Sequence, residues 1–164
     1  MNIEAKRAFV LADWMKAAQR CDSEEEFLSL LSSEKLRVTS LGEHELNQII
    51  VRDTDRLNRF ETLAWTLDRV SLGDCFVYDR MGARPWAVGT VKEVGEKFVR
   101  MEPSGSRIWK MKFFADIFSS QLPLIIIREE GKLKIDDGSH RAIAMYLSGI
   151  NEGSAYIGGV QSRP

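Results

Sequence analysis

The sequence holds few of the side chains that enzymes use most often for nucleophilic or metal chemistry. Its 164 residues include two histidines and two cysteines. Cys21 and Cys75 lie too far apart in the chain to form a zinc-ligand motif, so the number and spacing of ligands exclude zinc. Neither a Gly-x-Ser-x-Gly nucleophile elbow nor a Gly-x-x-x-x-Gly-Lys-Ser/Thr phosphate loop occurs, which argues against the enzyme classes that those motifs define.

Long apolar runs and a strong charge bias are also missing. No run approaches the ~18 apolar residues of a membrane-crossing helix, and the N-terminus lacks the charged and then apolar pattern of a secretory signal. We therefore expect no membrane insertion and a cytoplasmic, reducing setting, which agrees with the low cysteine content. The formal net charge of −1 gives no overall signature of nucleic-acid binding.

The composition predicts one globular domain of the α+β class. Apolar residues make up 44% of the chain and charged residues 29%, which is typical of a protein with a real hydrophobic core. We place a single domain over residues 1–164. Within it we predict a mainly helical segment at 1–72, a small antiparallel sheet inserted at 73–112, and a core of strand, hairpin, helix and strand at 113–164.

The predicted helical segment carries several amphipathic patterns. Residues 2–20 have a helical apolar face, and Ser23 begins a capping box that closes on Glu26 and opens a helix to about residue 32. Residues 36–39 are predicted as a short strand. A further helix begins near Thr54, and its apolar face continues as far as Leu67.

The middle of the chain is basic. Residues 80–112 contain eight Lys or Arg and three Asp or Glu, a balance of +5. We predict strands at 86–93, 97–102 and 107–111, on which basic residues alternate with Trp86 and Trp109. This combination can bind nucleic acid through charge and stacking; the alternative is a solvated charged face with the tryptophans in the core. The candidate DNA contacts are Arg84, Lys92, Arg100, Arg107 and Lys110.

The C-terminal segment gives the clearest local pattern. Residues 124–128 form an apolar, β-branched run, and residues 132–135 alternate polar with apolar side chains, so a turn at 129–131 makes them a hairpin. Residues 136–138 end the second strand. A helix then begins near Ser139 and ends at Gly149, and residues 154–160 return as a strand.

The junction between hairpin and helix is the candidate site. The first N–H groups of a helix have no intrahelical acceptor and its dipole favours anions, so Gly138, Ser139, His140 and Arg141 together predict a phosphate-binding site. Asp136 and Asp137 precede them. These carboxylates would either hold a divalent metal on the phosphate or cap the helix. The structural alternative is that Ser139 caps, His140 packs, and Arg141 pairs with one of the carboxylates.

Residues 122–160 resemble the ParB/sulfiredoxin fold. Members carry an apolar strand, a hairpin, an Asp-Gly or Gly-Gly turn, a His-Arg or Arg-Arg pair and a helix, and Asp137-Gly138-x-His140-Arg141 matches this order. The resemblance implies that the pair binds nucleotide phosphate, with ATP or ADP and Mg²⁺ as cofactors. Sulfiredoxins have a catalytic cysteine where this chain has Ser139, so we do not expect sulfinic-acid repair.

The resemblance also extends to stand-alone, plasmid-borne members such as the oncogenic suppression and fertility-inhibition proteins. It implies a phosphohydrolase or nuclease that hydrolyses ATP and cleaves DNA, with a role in inhibiting plasmid transfer. Asp136, Asp137, His140 and Arg141 would then be its catalytic residues. The alternatives are a phosphotransferase similar to the free-serine kinases, or a non-catalytic inhibitor that docks on a partner in a conjugation or secretion system.

Overall fold

The computed structural model of the protein describes residues 3–12, 20–52, 54–78, 88–101 and 107–160. The helices are α1 (Ile3–Ala12), α2 (Glu24–Ser40), α3 (Glu43–Ile50), α4 (Thr54–Thr62), α5 (Val91–Met101), α6 (Arg107–Lys112), α7 (Ala115–Gln121) and α8 (Ser139–Leu147). The strands are β1 (Ala64–Ser71), β2 (Phe76–Val77), β3 (Gly89–Thr90), β4 (Leu124–Glu129), β5 (Lys132–Asp137) and β6 (Glu152–Gly159), and a 3-10 turn covers Leu72–Asp74.

The strands form one mixed sheet of six strands in the order β1-β6-β4-β5-β2-β3. Strand β4 runs parallel to β6, and β2 runs parallel to β5, while the other neighbouring pairs are antiparallel. The protein is therefore of the mixed α and β class that the composition and patterns predicted. The hairpin β4–β5 is central to this sheet, so the candidate site lies at the end of an inner strand, β5.

Helices cover both faces of the sheet. Ile125 of β4 belongs to a buried cluster with residues of α1, α3 and α4, including Ala5, Leu46 and Phe60. Leu124 and Ile126, its neighbours in β4, belong to a second and larger cluster with residues of α5, α6, α7 and α8. Successive side chains of a strand point to opposite faces, so β4 contributes to both hydrophobic clusters and lies between them.

The predicted antiparallel strands of the middle segment are wrong for the described residues. Residues 91–101 and 107–112 are helical, and only the two-residue strands β2 and β3 form an antiparallel pair there. Val91, Val94 and Phe98 are buried at intervals of three and four residues, which is the helical period. Gly95 lies inside α5, where a Cβ would stand 3.3 Å from Leu147 Cδ2. The absence of a side chain at this position therefore permits close packing of α5 against α8.

Two predictions in the N-terminal segment are also wrong. Helix α2 continues without a break to Ser40, so there is no strand at residues 36–39. Helix α4 ends at Thr62, and residues 64–71 form β1 instead of continuing the helix through Leu67. The whole length of β1 pairs with β6, from Ala64 with Gly159 to Ser71 with Glu152, a long-range partner that local patterns do not reveal.

Several local predictions are confirmed. The structure has the predicted hairpin, the following helix and the last strand as β4, β5, α8 and β6. Ser23 caps α2, since its Oγ accepts a hydrogen bond from the Glu26 N–H at 3.1 Å. The first predicted helix is present as α1 through Ala12, and residues 13–19 of that prediction lie outside the described residues.

Candidate functional site

The turn from β5 into α8 requires a glycine. Gly138 has a φ of 99°, in the left-handed region that residues with a Cβ rarely adopt. A Cβ at this position would also stand 2.7 Å from Leu124 Cδ2 and 2.8 Å from Arg141 Nη2. The chain therefore reverses into α8 at a point where both the backbone conformation and the surrounding packing exclude a larger residue.

A β-bulge lies immediately before this turn. Ile126 is opposite Ile135, and the next pair is Ile125 with Asp137, so Asp136 is an extra residue on β5. A bulge interrupts the alternation of side chains and redirects them locally. The bulge therefore sets the local direction of the Asp136 and Asp137 side chains at the end of β5.

Asp136 is anchored by two arginines of α4. Its side chain is 3% exposed, and its Oδ1 accepts a hydrogen bond from Arg59 Nη1 at 2.7 Å. Arg56 Nε lies 3.4 Å from Oδ2, and Arg56 Nη2 donates to the main-chain oxygen of Asp136 at 3.3 Å. Sequence reasoning missed both arginines, because nothing in the local pattern of α4 points to a partner in β5.

Asp137 pairs with the buried Arg141. The Arg141 Nη2 group donates to Asp137 Oδ2 at 3.2 Å, and Nη1 donates to the main-chain oxygens of Leu122 at 2.7 Å and Pro123 at 3.3 Å. The side chain has no exposed surface, and burial lowers the Arg141 pKa, an effect that the charge of Asp137 opposes. Arg141 thus ties α8 to β5 and to the segment before β4, and its terminal donors face protein atoms.

The predicted site residues therefore fall into two groups. Asp136 and Arg141 are buried in contacts within the protein, whereas Ser139 and His140, at the start of α8, are half-buried and partly reach the surface. Asp137 is also half-buried, but its carboxylate is engaged with Arg141. The arrangement matches, in part, the structural alternative in which Arg141 pairs with a carboxylate.

The start of α8 keeps its positive polarity. Gly138 is the N-cap and supplies no side-chain acceptor, and the first turn contains no acidic residue. In α2, by contrast, Ser23 caps the helix and three glutamates occupy the first turn. In α5, Thr90 Oγ1 accepts a hydrogen bond from the Glu93 N–H at 3.2 Å. The N-terminus of a helix carries a partial positive charge. The capping and acidic residues of α2 and α5 offset this charge, whereas the first turn of α8 has no acidic residue that could do so.

The two carboxylates do not fit a magnesium site in this arrangement. Magnesium takes carboxylate oxygens in near-octahedral geometry, but both oxygens of Asp136 and one oxygen of Asp137 are already engaged with arginines. Within the described ranges, no group of three or more His, Cys, Asp or Glu side chains is placed to hold a metal ion.

The predicted DNA contacts lie on helices where they are described. Lys92 and Arg100 are exposed on α5, and Lys110 is exposed on α6, 3.9 Å from Asp22 at its Nζ. Arg84 and the side chain of Arg107 lie outside the described residues. These three basic side chains are thus exposed on helices, and not on the sheet that the sequence predicted.

The position of Trp109 agrees better with a tryptophan packed on the hydrophobic core than with one that stacks on nucleic-acid bases. It is half-buried and packs on the larger hydrophobic cluster, with its ring centroid 6.3 Å from that of Phe98. Lys112 Nζ lies 4.5 Å from the centroid of the same ring. The other tryptophan of that prediction, Trp86, lies outside the described residues.

Comparison of the chain with protein-family models, with curated proteins and with solved structures finds no match. Among the helices that the structure describes, none is both long enough and apolar enough to cross a membrane. The structure shows a mixed sheet between two helical layers, with a polar junction where β5 leads into α8.

Proposed function

We propose that this chain is a nucleotide-binding protein of the ParB/sulfiredoxin type, and that the start of α8 holds the phosphate groups of ATP or ADP. The observation that carries the proposal is the N-terminus of α8, which begins at Gly138 without a side-chain cap and without an acidic residue in its first turn. Such a helix start presents N–H donors and positive polarity to an anion.

The charges around the helix start support an anionic ligand. Arg56, Arg59 and Arg141 contribute three guanidinium groups, and Asp136 and Asp137 contribute two carboxylates, which leaves one excess positive charge. The Arg59 side chain is 40% exposed although its Nη1 holds Asp136, so part of this charge is accessible to a ligand. Charge-assisted hydrogen bonds of this kind are the strong contacts in phosphate recognition.

The side chains have different roles in this proposal. Ser139 and His140 contact the ligand, because both are partly exposed at the first two positions of α8. Arg141 is a positioning residue, because its donors hold Asp137 and the oxygens of Leu122 and Pro123. Asp136 in turn holds Arg59 and Arg56 in place beside the turn.

Hydrolysis of the nucleotide, or of DNA, would use His140. Asp136 and Arg141 are buried, whereas His140 is partly exposed and can donate a proton or a hydrogen bond to a leaving phosphate oxygen. No step of this proposal depends on a magnesium ion held by Asp136 and Asp137, since the arginines already occupy those carboxylates.

A negative charge introduced at Ser139 tests the binding proposal. Ser139→Glu places a carboxylate in the first turn of α8, where it stabilises the helix dipole but repels a phosphate. We expect the affinity for ATP, measured by calorimetry, to fall at least about tenfold, while the melting temperature stays the same or rises. Ser139→Gln, which has nearly the same shape and no charge, is the matched control and should retain most of the affinity.

Two results would overturn the proposal. One is a well-folded wild-type protein that binds neither ATP nor ADP, with or without magnesium. The other is equal binding by the wild type and by the Ser139→Glu variant, which would place the nucleotide elsewhere. The first result would favour the alternative of a non-catalytic inhibitor that docks on a protein of a conjugation or secretion system. The second would remove the start of α8 as the binding site.

A further inference from the structure

Strand β1 forms one edge of the sheet and is exposed along most of its length. It runs from Ala64 to Ser71 and pairs with β6 on one side only; no other described strand pairs with it. Its four central residues, 66–69, are exposed, and the Leu67 side chain is exposed by 59%. A long edge strand presents unpaired N–H and C=O groups and is a template for pairing with another strand.

Leu67 ends a row of three largely apolar side chains that spans β4, β6 and β1. Ile125 of β4 is opposite Tyr156 of β6, and Tyr156 is opposite Leu67. Ile125 is fully buried, Tyr156 is half-buried and Leu67 is exposed, so burial falls step by step toward the edge. The row ends at Leu67 because no further described strand lies beside β1.

We propose that a second copy of this chain supplies that strand, and that two β1 strands pair antiparallel about a two-fold axis at Leu67. The axis stands perpendicular to the sheet, so each residue pairs with one that points to the same face. Leu67 then lies opposite Leu67 of the partner subunit, and the apolar row continues into the second copy. Such an isologous contact joins the two six-stranded sheets into one.

The other side chains of β1 favour this register over registers that are shifted toward the C-terminal end of the strand. With the axis at Leu67, Trp65 is opposite Arg69 of the partner subunit, and Thr66 is opposite Asp68 of the partner subunit. The first pair brings a guanidinium to an indole ring, and the second brings a hydroxyl to a carboxylate. Moving the axis to Asp68 or to Arg69 would place two like charges directly opposite each other, which is unfavourable.

Backbone geometry agrees with this register. The main-chain N–H of Arg69 donates to the carboxylate of Asp68 at 2.7 Å, so it is a donor on the outer edge. Alternate residues of an edge strand share this orientation, which places Leu67 and Trp65 in the outward hydrogen-bonding row. On pairing, the Arg69 N–H would donate to the main-chain oxygen of the partner's Trp65 instead of to Asp68 Oδ1. These two acceptors compete for the same donor, so we expect a reversible dimer.

Sedimentation of the full chain over a range of concentrations tests the pairing. We expect the wild type to form a concentration-dependent dimer, and Leu67→Lys to raise its dissociation constant by about tenfold or more, since edge lysines oppose strand pairing. Leu36→Lys is the matched control, because Leu36 is 75% exposed on α2, away from the sheet edge. A wild type that stays monomeric, or an equal loss of dimer in both variants, would overturn the proposal.

Cysteine cross-linking tests the register separately. In a hydrogen-bonded antiparallel pair the two Cα atoms are about 5.5 Å apart, which permits a disulfide, so Leu67→Cys should give a covalent dimer on mild oxidation. Asp68→Cys should not, because its copies lie diagonally across the axis at roughly 7–8 Å. The native Cys21 and Cys75 are buried and leave the assay clear. Cross-linking through position 68 and not 67 would overturn the register and the proposal with it.

Discussion

The carboxylate of Asp136 accepts a hydrogen bond from Arg59 at 2.7 Å across 77 residues of sequence. The contact joins β5, in the C-terminal half of the chain, to α4, in the N-terminal half. Arg56 adds a second contact from the same helix to the same aspartate. The candidate site is therefore held together by two distant segments, and its geometry depends on a buried ion pair at the bulge of β5.

Removing the carboxylate of Asp136 should destabilise the protein strongly. In Asp136→Ala, Arg56 and Arg59 keep their charges but lose a partner carboxylate that is only 3% exposed. Breaking a fully buried ion pair from one side costs about 3–5 kcal/mol, and the 40% exposure of Arg59 lets water offset part of this cost, so we expect a loss of about 2 kcal/mol in the free energy of unfolding. Urea denaturation of the variant and the wild type measures this difference.

The exposed pair of Arg69 with Glu152 provides the control for that measurement. Arg69 Nε lies 3.2 Å from Glu152 Oε2, but both side chains are exposed. Exposed ion pairs contribute about 0–1 kcal/mol, so Glu152→Ala should change the free energy of unfolding only slightly. Similar losses in Asp136→Ala and Glu152→Ala would contradict the structural role assigned to Asp136.

The C-terminal part of the fold could be predicted because its signals are local. Residues adjacent in sequence identify each of its features: the apolar run of β4, the turn at Gly131 and the break at Gly138. The periods of two and of 3.6 are clear there, and each element follows the previous one after a short turn. The predicted hairpin, helix and strand are therefore present with bounds that differ by a few residues.

The middle of the chain was misassigned because residue type and periodicity conflict. Residues 91–101 contain several β-branched and aromatic residues, which favour strands, and Gly95 suggested a turn. The burial of Val91, Val94 and Phe98 decides in favour of a helix, and the small size of Gly95 serves packing against Leu147. Tertiary contacts thus override the local preference, and the sequence alone does not display them.

The local structure of residues 136–141 was predicted in part, but the long-range contacts of these residues were not. The helix start at Gly138 and Ser139 follows from the sequence, as does a pairing of Arg141 with one of the two carboxylates. Arg56 and Arg59 could not be assigned to it, because the packing of α4 beside the end of β5 is a long-range property. The bulge at Asp136 is likewise visible only in the register of β4 with β5.

Gly138→Ala should be more destabilising than the same change at Gly131. Both glycines have positive φ angles, 99° and 74°, so both substitutions include the backbone strain of about 1–2 kcal/mol. At Gly131 a Cβ meets nothing within 4 Å, but at Gly138 it would stand 2.7 Å from Leu124 Cδ2. We expect Gly138→Ala to lower the free energy of unfolding by at least about 1 kcal/mol more than Gly131→Ala. Equal effects in chemical denaturation would show that Leu124 and Arg141 move aside freely.

Cys75 should make the protein less stable at alkaline pH. Burial raises the pKa of its thiol from 9.0 to about 11, and the charge of Asp74 acts in the same direction. Between these two pH values the unfolded chain loses the thiol proton and the folded protein keeps it, so the free energy of unfolding falls as the pH rises. The full effect is about 2–3 kcal/mol. Urea denaturation from pH 8 to 11 checks this on the wild type and on Cys75→Ala, where the difference between the two curves removes the other titrating groups. A difference that does not change between pH 9 and 11 would mean that the Cys75 thiol ionises as easily in the folded protein as in the unfolded chain.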